Sequence, residues 1–253
     1  MKIAVLDLDS VMFSCGHPNK VLDDAGEPIK ENGKFVYIDK TEDELKDSVH
    51  YWMNNILTKS EATHYIPFIK GKGNYRYEIN SNYKANRPKE SPKWWAFTKA
   101  YFISEFGAIP VDGIEVDDAV NITRLSLPDS FICAIDGDLL GLEGCHYYWR
   151  KEEWITTTGH DAEYKFWKDM ISGQPGDNIK GIPGKGDKFV QTLFANDEIA
   201  LSQLTLGAYI QFLGEEYGIE EFYKNYKSLK ILDKYEGFIV PNPLSVTKEE
   251  RTI

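Results

Sequence analysis

The run Phe131-Ile132-Cys133-Ala134-Ile135 contains no polar residue and stops at Asp136-Gly137-Asp138. A short, unbroken apolar run rich in β-branched and aromatic types suits a strand covered on both faces, as in a parallel sheet with helices on either side. In open sheets of that kind, ligands bind beyond the carboxyl ends of the strands. Asp136 and Asp138 therefore fall where a ligand would lie, and two carboxylates there repel each other unless a divalent cation stands between them. The same pair also suits a solvated turn capping the next helix, because Asp favours turns and helix starts.

Residues 2–6 form a second short apolar run, and it ends in acids too, at Asp7-Leu8-Asp9. Two strands thus deliver carboxylates to what the pattern predicts is one edge. Thr41 with Glu44 reads as a capping box opening a helix whose apolar positions Leu45, Val49, Trp52, Met53 and Ile56 follow helical spacing. Strands are expected over 65–69 and 108–111, and a helix over 93–106, rich in aromatics (Trp94, Trp95, Phe97, Tyr101 and Phe102), whose tryptophans are assigned to the core and which stops at Gly107. A further helix opens at Gly113 with Glu115, Asp117 and Asp118 in its first turn. The helix dipole favours acids there whatever the function, but three acids within four residues exceed what capping needs. Beyond the central strand come a β ribbon over 147–156, a helix over 162–171 and helical, packing-driven chain over 198–226. With 253 residues and 42% apolar content, the expectation is an α/β fold with a central, mostly parallel sheet flanked by helices.

Net charge is −11, which opposes a nucleic-acid partner. The distribution argues the other way: across residues 70–99 eight Lys and Arg face two Glu, a local charge of +6. Gly, Asn and Pro punctuate residues 70–92 without any sustained period, so the stretch reads as a mobile basic loop or arch suited to clamping an anionic substrate. Residues 173–186 hold five glycines and two prolines and precede the apolar-periodic stretch 189–194, which describes a tight helix-loop-helix. Glycine-rich loops of this kind bring backbone N–H groups close to phosphate, and Lys180, Lys185 and Lys188 favour an anion there. Three cysteines in no metal-type pairing, and no apolar run approaching a membrane span, point to a reduced, cytoplasmic setting without a membrane partner.

Taken in order, Asp7, Tyr75-Arg76 followed by Tyr83-Lys84-Ala85-Asn86-Arg87, Glu115-Val116-Asp117-Asp118, Asp136-Gly137-Asp138 and the loop from Gly176-Asp177-Asn178 to Gly186 resemble one family. It is that of the metal-dependent 5′-nucleases: phage 5′-exonucleases, flap endonucleases and polymerase 5′-nuclease domains. The resemblance covers most of residues 1–195 and is nearest in pattern to a bacteriophage 5′-exonuclease. It implies a PIN-like α/β nuclease core over 1–160 carrying the arch at about 70–93. A helix-three-turn-helix DNA-binding region with C-terminal helices would occupy 161–253, the two packed as one compact unit.

The implied activity is 5′-3′ exonuclease, with flap endonuclease activity as a further expectation, on duplex DNA bearing a 5′ end, nick or flap. The implied cofactors are two Mg²⁺, for which Mn²⁺ can substitute, and a K⁺ at the glycine-rich loop. Asp7, Glu115 and Asp117 would surround one metal and Asp136, Asp138 and Asp177 the other, with Asp118 nearby. Asp7, Lys84, Arg87, Asp136 and Asp138 would carry the chemistry; Arg76, Tyr83, Lys84, Arg87, Asn178, Gly181, Gly184, Lys185, Gly186 and Lys188 would hold DNA, Tyr83 by stacking on the terminal nucleotide. Two departures lighten the implied metal cluster: Ile69-Lys70-Gly71-Lys72 and Gln174 stand where the family usually has acids.

Two other readings compete. Val5-Leu6-Asp7-Leu8-Asp9 also resembles the start of haloacid-dehalogenase-type phosphatases, with Asp7 as nucleophile and Asp9 as general acid. A catalytically weak DNA-end-binding relative of the nucleases is the other.

Overall fold

The computed structural model describes residues 1–88 and 90–247; Lys89, counted above in the basic stretch, lies outside the described residues. The central sheet is built from β1 (Ile3–Asp7), β2 (His64–Lys70), β3 (Ile109–Val111), β4 (Ser130–Ala134), β5 (Gly144–Tyr148), β6 (Glu153–Thr157) and β7 (Leu244–Ser245). Its strand order is β6-β5-β4-β1-β2-β7, with β3 also paired to β2. The pairings β1–β2, β1–β4, β2–β3 and β4–β5 are parallel, whereas β5–β6 and β2–β7 are antiparallel. The expected mostly parallel sheet is therefore present.

Strand alternation sends β1 side chains to two different cores. Ala4 and Leu6 join Tyr65, Ile69, Phe131 and Cys133 on one face, under α1 (Leu8–Gly16), α2 (Glu42–Lys59) and, after a short α3 (Arg76–Ile79), α4 (Trp95–Phe106). Ile3 and Val5 join Ile66, Phe68, Ile132 and Ala134 on the other, under α5 (Val116–Ser126). Burial on both faces is why these strands read as unbroken apolar runs. A third cluster, built on Trp167, Met170, Ile171, Val190, Tyr209 and Phe222, joins α7 (Gly159–Ser172), α8 (Asp187–Leu193), α9 (Leu201–Leu213) and α10 (Glu215–Leu229); α6 (Gly137–Leu140) precedes them at the sheet edge. Among the described residues no helix is long and apolar enough to cross a membrane.

Local signals account for most element boundaries. Thr41 and Glu44 form the reciprocal capping box of α2, and α4 ends at Gly107 in the left-handed conformation (φ 63°). The sequence reading gave no helix after Asp9, yet α1 starts there, because the Asp7 carboxylate accepts the Asp9 N–H and caps it. Also unanticipated are two antiparallel pairs between α1 and α2, each with strands of two residues (Asn19–Lys20 with Tyr37–Ile38, Lys30–Glu31 with Lys34–Phe35).

One buried ion pair ties the basic stretch to the body. Arg76 and Asp118 are 1% and 0% exposed, and the guanidinium meets the carboxylate through two bonds, 2.6 Å (Nη1–Oδ2) and 2.8 Å (Nη2–Oδ1). Arg76 also donates to the Ser228 and Lys230 carbonyls, while Asp118 accepts from the Glu115 and Leu232 N–H groups. This corrects two expectations: Arg76 has no surface left for DNA, and both Asp118 oxygens are committed, so neither is a metal ligand. Removing one partner of such a pair strands a buried charge. Arg76→Met is accordingly expected to lower the unfolding free energy by about 3–5 kcal/mol in urea denaturation.

Candidate active site

Parallel register places the acids together. Leu6 pairs with Cys133 in β4, and Asp7 with Phe68 in β2, so Asp7 leaves β1 at the edge where Asp136 follows β4. Each uses its Oδ1 to cap the next helix, Asp7 accepting from the Asp9 N–H at 3.0 Å and Asp136 from the Asp138 N–H at 2.7 Å. The capping reading of both acids is thus met through Oδ1. Asp117, in the first turn of α5, makes no hydrogen bond or ion pair among the described residues.

The electrostatics report an excess of negative charge. Burial, with the neighbouring charges of Asp9 and Asp136, pushes Asp7 up to about 7. Asp117 is raised well above the ordinary carboxylate range by burial and then by Asp7, Glu115 and Asp136. Asp9 is also raised by burial, although it accepts the Lys70 N–H at 3.0 Å and has Lys70, Lys99 and Lys84 nearby.

Glu115 and Asp177 are paired with cations of the arch, which hold Glu115 below its ordinary range, while burial still raises Asp177. Lys84 Nζ lies 2.6 Å from Glu115 Oε1 and 3.7 Å from Asp177 Oδ1, and Arg87 Nη2 lies 2.8 Å from Asp177 Oδ1. The Tyr83 hydroxyl sits 2.9 Å from both Glu115 Oε2 and Asp177 Oδ2. Burial and those two acids push the phenol pKa up, so it keeps the proton that it shares between them. Tyr83 is 2% exposed, which corrects the expected stacking on a nucleotide: its ring has no open face. Lys84 adopts a left-handed backbone (φ 54°), uncommon for a residue with a side chain, held by its N–H on the Asp177 carbonyl at 2.9 Å.

Asp177 shares Tyr83 and Lys84 with Glu115, and both line one cavity with Asp138. Asp138 is instead paired with Lys165 at 2.6 Å, and Lys165 also reaches Asp169 at 2.8 Å. Lys165 and Asp169 were missed from sequence; the only signal was an i, i+4 lysine–aspartate pair, which ordinarily marks a solvated helix face. Asn74, also missed, donates to Glu115 Oε1 at 2.9 Å.

The glycine-rich loop joins α7 to α8 as a helix-loop-helix, as expected. Asn178, in the left-handed region (φ 56°), donates to the Asn82 carbonyl at 2.8 Å and so faces the arch. Gly181 is required by packing, because an added Cβ would lie 2.1 Å from the Ile171 carbonyl oxygen. Gly184, Gly186 and Lys188 are exposed, and the Lys185 ammonium stands over the Phe212 ring at 3.8 Å.

Among the described residues no group of three or more His, Cys, Asp or Glu side chains stands ready to hold a metal ion. The donor chemistry at Asp7, Asp117 and Asp136 nonetheless fits a divalent cation: hard oxygen ligands whose burial and mutual repulsion outweigh the charge of Lys84 at Asp117. Asp136, Asp138 and Asp177 do not fit one as a set, since lysine and arginine already hold two of the three.

Because Asp7 is raised when folded, the folded state binds its proton more tightly than the unfolded chain. The stability cost is absent near pH 4, grows as pH rises and is complete above about 7. In chelator, Asp7→Asn is expected to raise the unfolding free energy by on the order of 2–4 kcal/mol at pH 8 and to leave it nearly unchanged at pH 4, as read from denaturation at both pH values.

No family model and no curated protein sequence matches the chain. Solved structures match it closely in fold. The D15 protein of T5, co-crystallised with metal ions, superposes with a TM-score of 0.65 at 18% identity, over 92% of this chain and 89% of that one. The bacteriophage T5 flap endonuclease in a product complex with DNA and metal ions gives 0.52 at 15% identity, over 90% and 99%. The catalytic core of Rad2 with DNA substrate gives 0.51 at 13% identity, over 92% and 74%. The chain therefore has the α/β fold shared by the T5 5′-exonuclease and the Rad2 core.

Proposed function

We propose that this chain is a divalent-metal-dependent 5′-nuclease that hydrolyses DNA phosphodiesters at a 5′ end, nick or flap, using Mg²⁺ or Mn²⁺. The observation that carries the reading is the charge layout at the sheet edge. Mutually repelling carboxylates with no ion-pair partner of their own among the described residues (buried Asp7 and half-buried Asp117) lie beside two cations, Lys84 and Arg87, presented by a basic stretch. An acid cluster alone would repel a phosphodiester, and a basic arch alone would bind without reaction. Two solved structures of the same fold hold DNA, which supports DNA as the substrate.

Asp7, Asp117 and Asp136 would hold the ion. When bound, a divalent cation supplies Lewis-acid charge to a phosphate and to the water that attacks it. Lys84 and Arg87 would bind the same phosphate, exchanging Glu115 and Asp177 for its oxygens as charge-assisted partners. Tyr83 would hold Glu115 and Asp177 in place meanwhile. Exposed Lys188 and half-buried Lys185 at the glycine-rich loop would contact the duplex backbone without reading sequence. In the phosphatase reading, Asp9 would need a free carboxyl; its Oδ1 is bonded to the Lys70 N–H instead.

Digestion of a 5′-labelled and a 3′-labelled duplex, with and without Mg²⁺, tests the reading. Mg²⁺-dependent release from the 5′ end is expected, and no release at any Mg²⁺ concentration refutes it. Asp136→Ala should abolish cleavage yet keep DNA binding. Lys84→Ala should lower turnover by about 100-fold. Lys185→Ala should instead weaken binding and reduce its salt slope by about one, measured by titration of binding against salt.

A further inference from the structure

Lys165 has no place in the reading just given, yet its side chain is held as firmly as any in the site. Its ammonium bridges Asp138 Oδ1 at 2.6 Å and Asp169 Oδ2 at 2.8 Å. Its aliphatic stem lies against Gly141, where an added Cβ would fall 2.5 Å from Lys165 Cδ and 2.9 Å from Cε. The missing side chain at residue 141 thus leaves room for the lysine to cross to Asp138. All of these groups line one cavity of about 420 Å³ shared with Glu115, Asp117 and Asp177.

Three acids lining that cavity have a protein cation: Lys165 serves Asp138 and Asp169, while Arg87 and Lys84 serve Asp177. Asp117, which lines the same cavity, feels the charge of Lys84 but forms no ion pair among the described residues. A second divalent ion at Asp138 would have to share the carboxylate with an ammonium at bonding distance, and two cations that close repel strongly. Resting on the nuclease reading, we infer that Lys165 takes the place of a second divalent ion at Asp138, so that the chain holds one divalent ion, on the side of Asp7, Asp117 and Asp136. An ammonium offers fixed charge and three hydrogen-bond donors but no vacant coordination position. Lys165 therefore orients and neutralises, and activation of water belongs to the single ion. It is a positioning residue.

Counting bound Mn²⁺ by electron paramagnetic resonance on the chelator-stripped full chain tests this. One ion per chain is expected for the wild type, two for Lys165→Met and one for Lys165→Arg, which keeps the charge. Two ions in the wild type, or one in Lys165→Met, overturn the inference. The Lys165 side chain is 37% exposed, so its loss is compatible with folding, and Lys165→Gln provides a second neutral variant. The labelled-duplex digest run beside the count separates the two failures. Mg²⁺-dependent 5′ digestion by a protein that binds two ions removes the role of Lys165 and leaves the nuclease reading intact. No bound ion together with no digestion removes both.

Discussion

The Arg76–Asp118 pair is the joint on which the site depends. A fully buried guanidinium is tolerable only when its donors are answered, and here one carboxylate and two main-chain carbonyls answer them. Arg76 and those partners join three separate regions: the basic stretch after β2, the first turn of α5, and the end of α10. Because Asp118 also accepts the Glu115 N–H, the pair fixes the turn that sends Glu115 and Asp117 toward the sheet edge. A buried pair of this kind contributes geometry more dependably than stability.

From that joint the site divides into two electrostatic halves. On one, Glu115 and Asp177 are charged and matched by Lys84 and Arg87, and the Glu115 carboxyl sits below its ordinary range: burial opposes the charged form, but Lys84, Arg76 and the hydrogen bonds outweigh it. On the other, Asp7 and Asp117 are raised because burial and like charges outweigh the hydrogen bonds to Asp7 and the charge of Lys84 at Asp117. A fold seldom keeps uncompensated buried acids for its own stability, and strongly perturbed carboxylates in a cleft are a mark of function.

Much of this was legible in the chain. The runs ending at Asp7 and Asp136 give their strands, and the parallel register then brings those acids to one edge without any further information. The capping box at Thr41 and the stop at Gly107 are local chemistry, which sequence states directly. What escaped was partner choice. Glu115, Asp117 and Asp118 read as one cluster, but successive helical positions are turned by about 100° from each other, so Asp117 and Asp118 face different surroundings. Only the tertiary position of Arg76 shows which of them is spent on structure. The strands of two residues between α1 and α2 carry too few residues to show a period. Helix α1 was obscured because the acid that caps it was read only as the end of a strand.

The arch and the glycine-rich loop are stitched together along residues 82–87 and 175–178. Lys84 N–H bonds the Asp177 carbonyl, Asn86 the Pro175 carbonyl, Arg87 the Gly176 carbonyl, and Asn178 the Asn82 carbonyl. Two segments so joined order as one thermodynamic body. Any ligand that immobilises the loop has then met part of the entropy cost of setting Lys84 and Arg87, and the reverse holds by the same amount. Under the proposed nuclease function, grip on a duplex and seating of the phosphate to be cut would become a single cooperative event, without a conformational change to carry the signal between them.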